Sequence, residues 1–373
     1  MSAMTELDTS SSLWESVANE LRNRIELGVL SPGARIDSQR DLCEEFEVSR
    51  ITVRRALSEL AREGLVHTRK GQGTFVSIRS RDDGIPTLKS IGLVLRDMTS
   101  PFFVTVAGGI ERYAYEHGFS LLLSSTSGQM GKEEQQIAHF RQAGVEGVIV
   151  ASMRNQEKPP EAVLRMHEDG FPYVMVSYVA DPSIRSVGVD HEEGGAIAGR
   201  HLHGCGYRTF GYLCAESSNA LGVLRRRGFL RGLEESGASA ADTLVLDLAL
   251  EDRWDISRFE KGYAAGGRFL ESSRKPEAMF VYNDQAAYGF IKRVQEAGIR
   301  IPEDLAIVGF DGIERNEFFD GVLTTIRQPM AEIGRLAVRV IEKLIDGRPA
   351  PTRTMIDPML SIGTTTIVPP AGL

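Results

Sequence analysis

Residues 48–66 read VSRITVRRALSELAREGLV. Ser49 can cap a helix by accepting a hydrogen bond from a backbone N–H at its start, and Gly64 can end that helix. Between them Val53, Ala56, Leu57, Leu60 and Ala61 recur at three- and four-residue spacing, one apolar stripe for one core. The other face carries Arg50, Arg54 and Arg55, with Thr52 beside them. Arginines on the exposed first turns of a short helix suit a duplex major groove, where a guanidinium presents paired donors to guanine or phosphate. A charged, solvated face is the alternative reading, and the neighbouring segments decide between the two.

Upstream, Trp14, Val17, Ala18, Leu21 and Ile25 predict an amphipathic helix ending at Gly28. Ser38 and Asp41 then open a second helix over 39–46, and a corner at Glu47–Val48 leads into the stretch above, as in a helix-turn-helix. Downstream, Leu65–His67 and Thr74–Val76 flank a glycine turn whose tip carries Arg69 and Lys70, which predicts a basic β-hairpin. Residues 13–77 therefore read as a winged helix-turn-helix, after a loose Ser/Thr-rich tail over 1–12. The charged, Gly- and Pro-broken segment 78–88 reads as a linker.

The whole chain of 373 residues carries a formal charge of −8, so a polyanion must be met by a local patch. That patch exists: between Ser49 and Gly73 stand six Arg/Lys against two Glu. Hydrophobic residues at 42% and charged residues at 25% are ordinary for a globular protein of two or three domains. Three cysteines without a Cys-x-x-Cys pair speak against a disulfide framework and fit a reducing compartment. The polar N-terminus and the lack of a transmembrane-length apolar run imply a cytoplasmic protein with no membrane partner.

From Lys89 onward, nine apolar runs alternate with helix-length segments: IGLVL, SLLLS, GVIVA, YVMV, SVGV, TFGYL, TLVL, AMFVY and LAIVGF. Runs without period-two alternation are strands covered on both faces, so these are βα units of parallel sheets. Their number over residues 89–373 predicts an α/β unit of two doubly wound lobes. Ligands of such sheets bind beyond the carboxyl ends of strands. Those positions hold Asp97, Asp190, Asn283-Asp284 and Asp311, with Phe102 and Phe103 just after the first. Carboxylates and an amide can bond hydroxyls, and an aromatic face can cover the apolar side of a sugar ring. Taken singly, Asp284 reads as a helix cap and Asp311 as a turn residue.

Enzyme chemistry has little to stand on: there is no P-loop and no Gly-x-Gly-x-x-Gly. His201-x-His203 with Cys205 reads as a helix end, because residues two apart diverge on a helix. Asp190-His191-Glu192-Glu193 reads as a strand end followed by an acidic helix start rather than a metal cluster. No catalytic residue, metal or cofactor is expected.

The segments LRNRIELGVLSPGARI, SQRDL, VSRITVRRALSELAREGLV and GQGTFV resemble the DNA-binding domain of GntR-type regulators over nearly all of 13–77. One departure is Ile36-Asp37-Ser38-Gln39, where that family more often has Leu-Pro-Ser-Glu. The resemblance implies DNA contacts from Arg40, Arg50, Thr52 and Arg54, with Ser49 at the helix start and Gly71 letting the wing approach the minor groove beside Lys70. Ile51 could meet a thymine methyl, while Arg55 and Arg62 read as a solvated face.

The second half resembles LacI/GalR-type sensor domains, related to periplasmic sugar-binding proteins, over about 90–366. The marks are Pro101-Phe102-Phe103, VGVDHEEGG, HLHGCGYRTFGYL, Arg225-x-x-Gly-Phe, YNDQAAYGFIKRVQEAGIRIPEDLAIVGFDGIE and LTTIRQP. It implies ligand contacts from Phe102, Phe103, Asp190, Arg225, Asn283 and Asp311, to which the strand-end reading adds Asp97. A further aromatic contact falls on Trp254 or Phe259. Three crossings between lobes are expected near 190, 322 and 347, giving lobe 1 as 89–190 with 323–347 and lobe 2 as 191–322 with 348–366. A GntR-type head on a LacI/GalR-type sensor resembles the arabinose-repressor type of regulator. The expected function is a dimeric, DNA-binding repressor of an operator, controlled by a small polar effector. A sugar is the first choice of effector, a purine-like base the alternative, and a protein-docking or enzymatic sensor the reading from another class.

Overall fold

The computed structural model describes residues 13–26, 29–31, 33–69, 73–77, 89–129, 131–151, 159–214, 220–238, 244–247, 256–313 and 320–367. The expected tail, the linker, Lys70, Gly71 and Trp254 lie outside the described residues. The chain divides into two compact units, Met1–Thr87 and Leu88–Leu373.

In the first unit α1 (Leu13–Glu26), α2 (Gln39–Glu45) and α3 (Arg50–Arg62) precede an antiparallel hairpin of β1 (Val66–Arg69) and β2 (Gly73–Val76). Four residues of the stripe read from the sequence form the core, Val53, Ala56, Leu57 and Leu60 of α3 burying against Val17, Leu21 and Leu42, whereas the fifth, Ala61, is exposed at the last turn of the helix. Ser38 and Ser49 cap α2 and α3, each hydroxyl accepting a backbone N–H at 3.3 Å. Glu47, at φ 52°, makes the corner between them. One feature was not legible in the sequence. Residues 33–36 run along β2, with Ile36 N bonded to Thr74 O at 2.8 Å and Val76 N to Ala34 O at 2.9 Å. That backbone brings Arg35 beside the wing.

Among the described residues the second unit holds two six-stranded sheets. The first lobe contains β3 (Lys89–Leu95), β4 (Phe119–Ser125), β5 (Gly147–Ala151), β6 (Tyr173–Val176) and β7 (Ser186–Val189), with helices α4 (Pro101–Glu116), α5 (Lys132–Gln142) and α6 (Glu161–Glu168). The second contains β8 (Phe210–Cys214), β9 (Leu244–Asp247), β10 (Ala278–Val281), β11 (Ala306–Asp311) and β12 (Thr324–Arg327), with α7 (His191–Gly204), α8 (Ala220–Glu235), α9 (Arg258–Glu271) and α10 (Asp284–Glu296). The chain then returns through α11 (Met330–Ile345) and β13 (Arg353–Ile356) to the first lobe, and ends with β14 (Met359–Ser361) in the second. Strand orders are β4-β3-β5-β6-β7-β13 and β9-β8-β10-β11-β12-β14; among the described strands of these sheets only β14 is antiparallel to its neighbour.

Two expected crossings move. β12 lies in the second lobe, parallel to β11, so the crossing follows it at 328–329 rather than near 322. β13 lies in the first lobe, parallel to β7, so the last crossing is at 357–358 rather than near 347. The assignments of 323–347 to one lobe and 348–366 to the other are corrected accordingly. The physical reason is that these strands have three or four residues and edge or threonine-rich character. Thr324 and Thr325 are buried because their hydroxyls are paired, with Thr366 at 3.0 Å and Asp284 at 2.7 Å, a pattern that hydrophobicity does not flag.

Helices α7 and α8 meet backbone to backbone through Gly195, Gly199, Gly228 and Gly232. A Cβ on Gly195 would collide with the carbonyl of Arg225, and one on Gly228 with that of Glu192. Across the flanks Arg231 bonds Glu193 at 2.6 Å, and Arg227 bonds Glu192. This close crossing fixes where Arg225 stands relative to the start of α7. Gly195→Ala is therefore expected to cost about 1–3 kcal/mol in urea unfolding, as overpacking against backbone does. Gly204→Ala, whose Cβ meets nothing within 4 Å, should stay within about 0.5 kcal/mol of the parent.

Candidate functional site

Two places collect polar side chains. The first is a groove of about 740 Å³ in the winged helix, lined by Arg35, Ser38, Arg40, Arg50, Thr68 and Arg69 among others. Arg40 is largely exposed, 3.7 Å from Asp41 and 3.8 Å from Glu44. Arg50 is exposed and reaches Gln39 at 3.4 Å. Ser49 and Thr52 bond each other through their hydroxyls at 2.8 Å while Ser49 caps α3. Arg54 is exposed and has no ion pair among the described residues. Arg69 lies over the Phe75 ring at 5.3 Å, which holds its stem against β2. Arg55 instead covers Trp14 of α1 at 4.5 Å, and Arg62 bonds Glu59 at 3.1 Å, so both are engaged within the unit. The groove thus presents four guanidinium groups and three hydroxyls, those of Ser38, Thr68 and Thr74, against the single carboxylate of Asp37, a balance that suits phosphate oxygens.

The second place is the carboxyl-end rim of the second lobe's sheet. Arg225 on α8 is buried at 4% exposure and Asp311 at the end of β11 at 6%. Arg225 Nη2 stands 3.8 Å from Asp311 Oδ1, an ion pair without a direct hydrogen bond. Its guanidinium lies 3.6 Å above the centre of the Phe310 ring, Nη1 donates to Tyr282 O, and Nε and Nη2 face His191 Nδ1 at 3.4 and 3.3 Å. Asp311 Oδ1 accepts from Gln328 Nε2 at 2.8 Å, and Asp311 O from Gln328 N at 3.0 Å. Gln328 is the first residue of the second crossing. Asp311 also adopts φ 131°, a conformation a non-glycine residue holds only when its surroundings over-determine it.

The surroundings include Asp284, fully buried at the start of α10. Its Oδ2 accepts from Gly312 N at 2.8 Å and Ile313 N at 2.7 Å, and its Oδ1 from Thr325 Oγ1 at 2.7 Å. A Cβ on Gly309 would collide with Asp284 Oδ1, so that strand position has room only for glycine. Burial, then the neighbouring charge of Asp311, pushes the Asp284 carboxyl up to about 7 against these three donors. Burial likewise raises Asp311, opposed by Arg225. Burial, then Arg225, holds His191 well below the ordinary imidazole value, so it is neutral. Its Nε2 has no hydrogen-bond partner among the described residues.

Residues 13–76 match the model for bacterial regulatory proteins of the gntR family, and 199–366 the model for a periplasmic binding protein-like domain. The arabinose metabolism transcriptional repressor of Geobacillus stearothermophilus is 30% identical over 335 residues, 88% of this chain and 90% of that protein. The chain belongs to this family of transcriptional repressors. The HTH-type transcriptional repressor PurR of Vibrio atlanticus is 31% identical over 68% of this chain and 74% of its own. A LacI family transcriptional regulator from Enterococcus faecium, solved with bound ribose, is 26% identical with a TM-score of 0.64, covering 74% of this chain and 98% of that one. The repressor is thus a DNA-binding regulator with a GntR-type head and a sensor of the periplasmic-binding-protein type.

Of the ligand residues expected from sequence, the fold brings Arg225 and Asp311 together and sets Asn283 beside them, between Tyr282 and Asp284. Asn283 is buried and caps α10 by accepting from Ala286 N at 2.9 Å. The others make no hydrogen bond or ion pair to this cluster. Asp190 is exposed and caps α7, accepting from Glu193 N at 2.9 Å. Asp97 organises the start of α4, its Oδ1 accepting from Ser100 N at 2.7 Å and from Thr99 N and Oγ1 at 3.1 Å. Phe102 and Phe103 are half-buried on α4, edge to face at 5.3 Å. Phe259 packs in α9 against the core. Sequence reasoning missed Arg35, His191, Phe310 and Gln328. Only His191 carried a signal, a histidine directly after a strand-end aspartate.

Among the described residues no group of three or more His, Cys, Asp or Glu could hold a metal ion, and no helix is long and apolar enough to cross a membrane. His201 bonds Thr366 at 3.0 Å, and Cys205 Sγ lies 3.7 Å from it, both at the end of α7.

The raised Asp284 carboxyl has a sign. In the unfolded chain it ionises near 3.8, in the folded sensor near 7, so between these values the folded state keeps a proton the unfolded state has lost. The stability this proton supplies is complete below the unfolded value and is lost as pH rises through about 7. Asp284→Asn keeps an acceptor oxygen and is neutral throughout. Its melting temperature should gain on the parent's as pH rises from about 5 to about 8; parallel curves in calorimetry would contradict the assignment.

Proposed function

We propose that the repressor binds a pseudo-palindromic operator as a homodimer and that a small, hydroxyl-rich effector, most directly a sugar, binds at the Arg225–Asp311 rim between the lobes. The observation that carries this reading is the buried pair at 3.8 Å, a gap a ligand hydroxyl can bridge by accepting from Arg225 and donating to Asp311. Asn283 would add an amide, and Phe102 or Phe103 of the first lobe an apolar face, with Asp97 and Asp190 at the adjoining strand ends. The ribose in the Enterococcus faecium neighbour and the arabinose in the Geobacillus relative's name support a sugar. The PurR relative favours a purine-like base as the rival effector.

In this reading Ser49, Arg50, Thr52 and Arg54 of α3 meet the duplex, Arg40 and Arg35 bond phosphates, and Lys70 and Gly71 carry the wing into the minor groove. Effector closes the lobes about their crossings, alters how two sensors pack, and so changes the spacing of two winged helices. The protein works in the cytoplasm, without a membrane partner, a cofactor or catalysis of its own.

A thermal-shift panel of monosaccharides, disaccharides, polyols, sugar phosphates and nucleobases tests the effector class. A sugar should raise the melting temperature by mass action, and a panel on which only nucleobases act would hand the site to the rival. Asp311→Ala should abolish the shift while leaving duplex binding intact. Arg50→Ala and Arg54→Ala should each weaken duplex binding by roughly 1–3 kcal/mol with the shift unchanged. Unchanged duplex binding would remove them from the interface.

A further inference from the structure

His191 stands one residue beyond the first lobe crossing, on the first turn of α7, and belongs to neither the DNA face nor the strand-end carboxylates. The residue is 3% exposed, and its ring lies against Phe310 with 5.6 Å between ring centres. Its Nδ1 is 3.4 Å from Arg225 Nε and 3.3 Å from Nη2. A guanidinium only donates, so Nδ1 must be the acceptor, the imidazole is neutral, and its proton sits on Nε2.

Arg225 is thereby fixed on three sides. Nη1 is held by Tyr282 O, one flat face by Phe310, and the Nε–Nη2 edge by His191. In that orientation Nη2 turns towards Asp311. An apolar residue at 191 would leave that edge of a buried guanidinium unanswered, and a cation would repel it. A neutral acceptor is what the position requires.

We infer that His191 is a positioning residue of the effector site: it holds the Arg225 guanidinium in the orientation that faces Asp311, and it joins that guanidinium to the first lobe crossing. The corresponding link on the other side is Gln328, which joins Asp311 to the second crossing. The claim rests on the proposed effector reading for what is bound, but not for how Arg225 is held. Asparagine serves as the conservative replacement, because its Oδ1 branches from Cγ as the imidazole Nδ1 does and can accept the same bond.

The test uses the full chain with isotope-labelled histidine ring nitrogens and arginine side-chain nitrogens, the His191 signals being those that vanish in His191→Asn. From about pH 6 to about pH 8 they should report a neutral ring protonated on Nε2. The Arg225 Nε–H signal should be protected from exchange in the parent, kept in His191→Asn and lost in His191→Leu. With arabinose and ribose as probes, His191→Leu should bind at least about tenfold more weakly and His191→Asn within about threefold of the parent. A ring protonated on Nδ1, a His191 that titrates at the ordinary imidazole value, or a leucine variant equal to the parent in Arg225 protection would overturn the inference. If neither sugar raises the parent's melting temperature, the sugar reading loses its support, while the Arg225 signal still decides the role of His191.

Discussion

A guanidinium buried beside a carboxylate is the constraint from which the sensor is arranged. Taking either charge out of water costs several kcal/mol, and a pair at 3.8 Å recovers that only when other polar groups complete the shell. Here they do. Tyr282 O, His191 and the Phe310 face serve Arg225, and Gln328 serves Asp311. Asp284 pins the turn that follows Asp311, which lets the carboxylate keep its unusual φ. The glycine contact of α7 and α8 belongs to the same arrangement, since a side chain at Gly195 would displace the backbone of Arg225 itself.

The two ends of this cluster reach the chain where it passes between lobes. Arg225 connects through His191 to the crossing after β7, and Asp311 connects through Gln328 to the crossing after β12. In the proposed reading a ligand that pulls on either charge acts on a lobe crossing without a long chain of intermediates. In the proposed mechanism the effector's preference for one lobe arrangement sets the size of the response, and by linkage DNA must change effector affinity by the same factor.

Much of this was legible in the sequence, for identifiable reasons. The α3 stripe and its caps are local, so periodicity and Ser49 were enough to find them. The parallel strands are continuous apolar runs, so nine of them stood out in the sequence. Arg225 and Asp311 came from the family resemblance and, for Asp311, from its strand-end position. What escaped was set by tertiary contact. β12 is held by paired threonine hydroxyls and β13 is a half-exposed edge, so the crossings were misplaced. Gln328 and Phe310 gain their roles only from what stands opposite them. Asp284 was read as a cap, whereas its neighbour Asn283 caps the helix and Asp284 holds the turn after Asp311.

The most direct measurement begins with a duplex selected by the purified protein from a random pool. Its affinity is then followed by fluorescence anisotropy with and without the sugar that most raises the melting temperature, in the parent and in Asp311→Ala. The account predicts a change of roughly 5- to 150-fold in the parent, the range of ordinary coupling free energies, and no change in the variant. Equal affinity with and without a sugar that demonstrably binds the parent would contradict it, because the buried pair would then be a binding site that controls nothing.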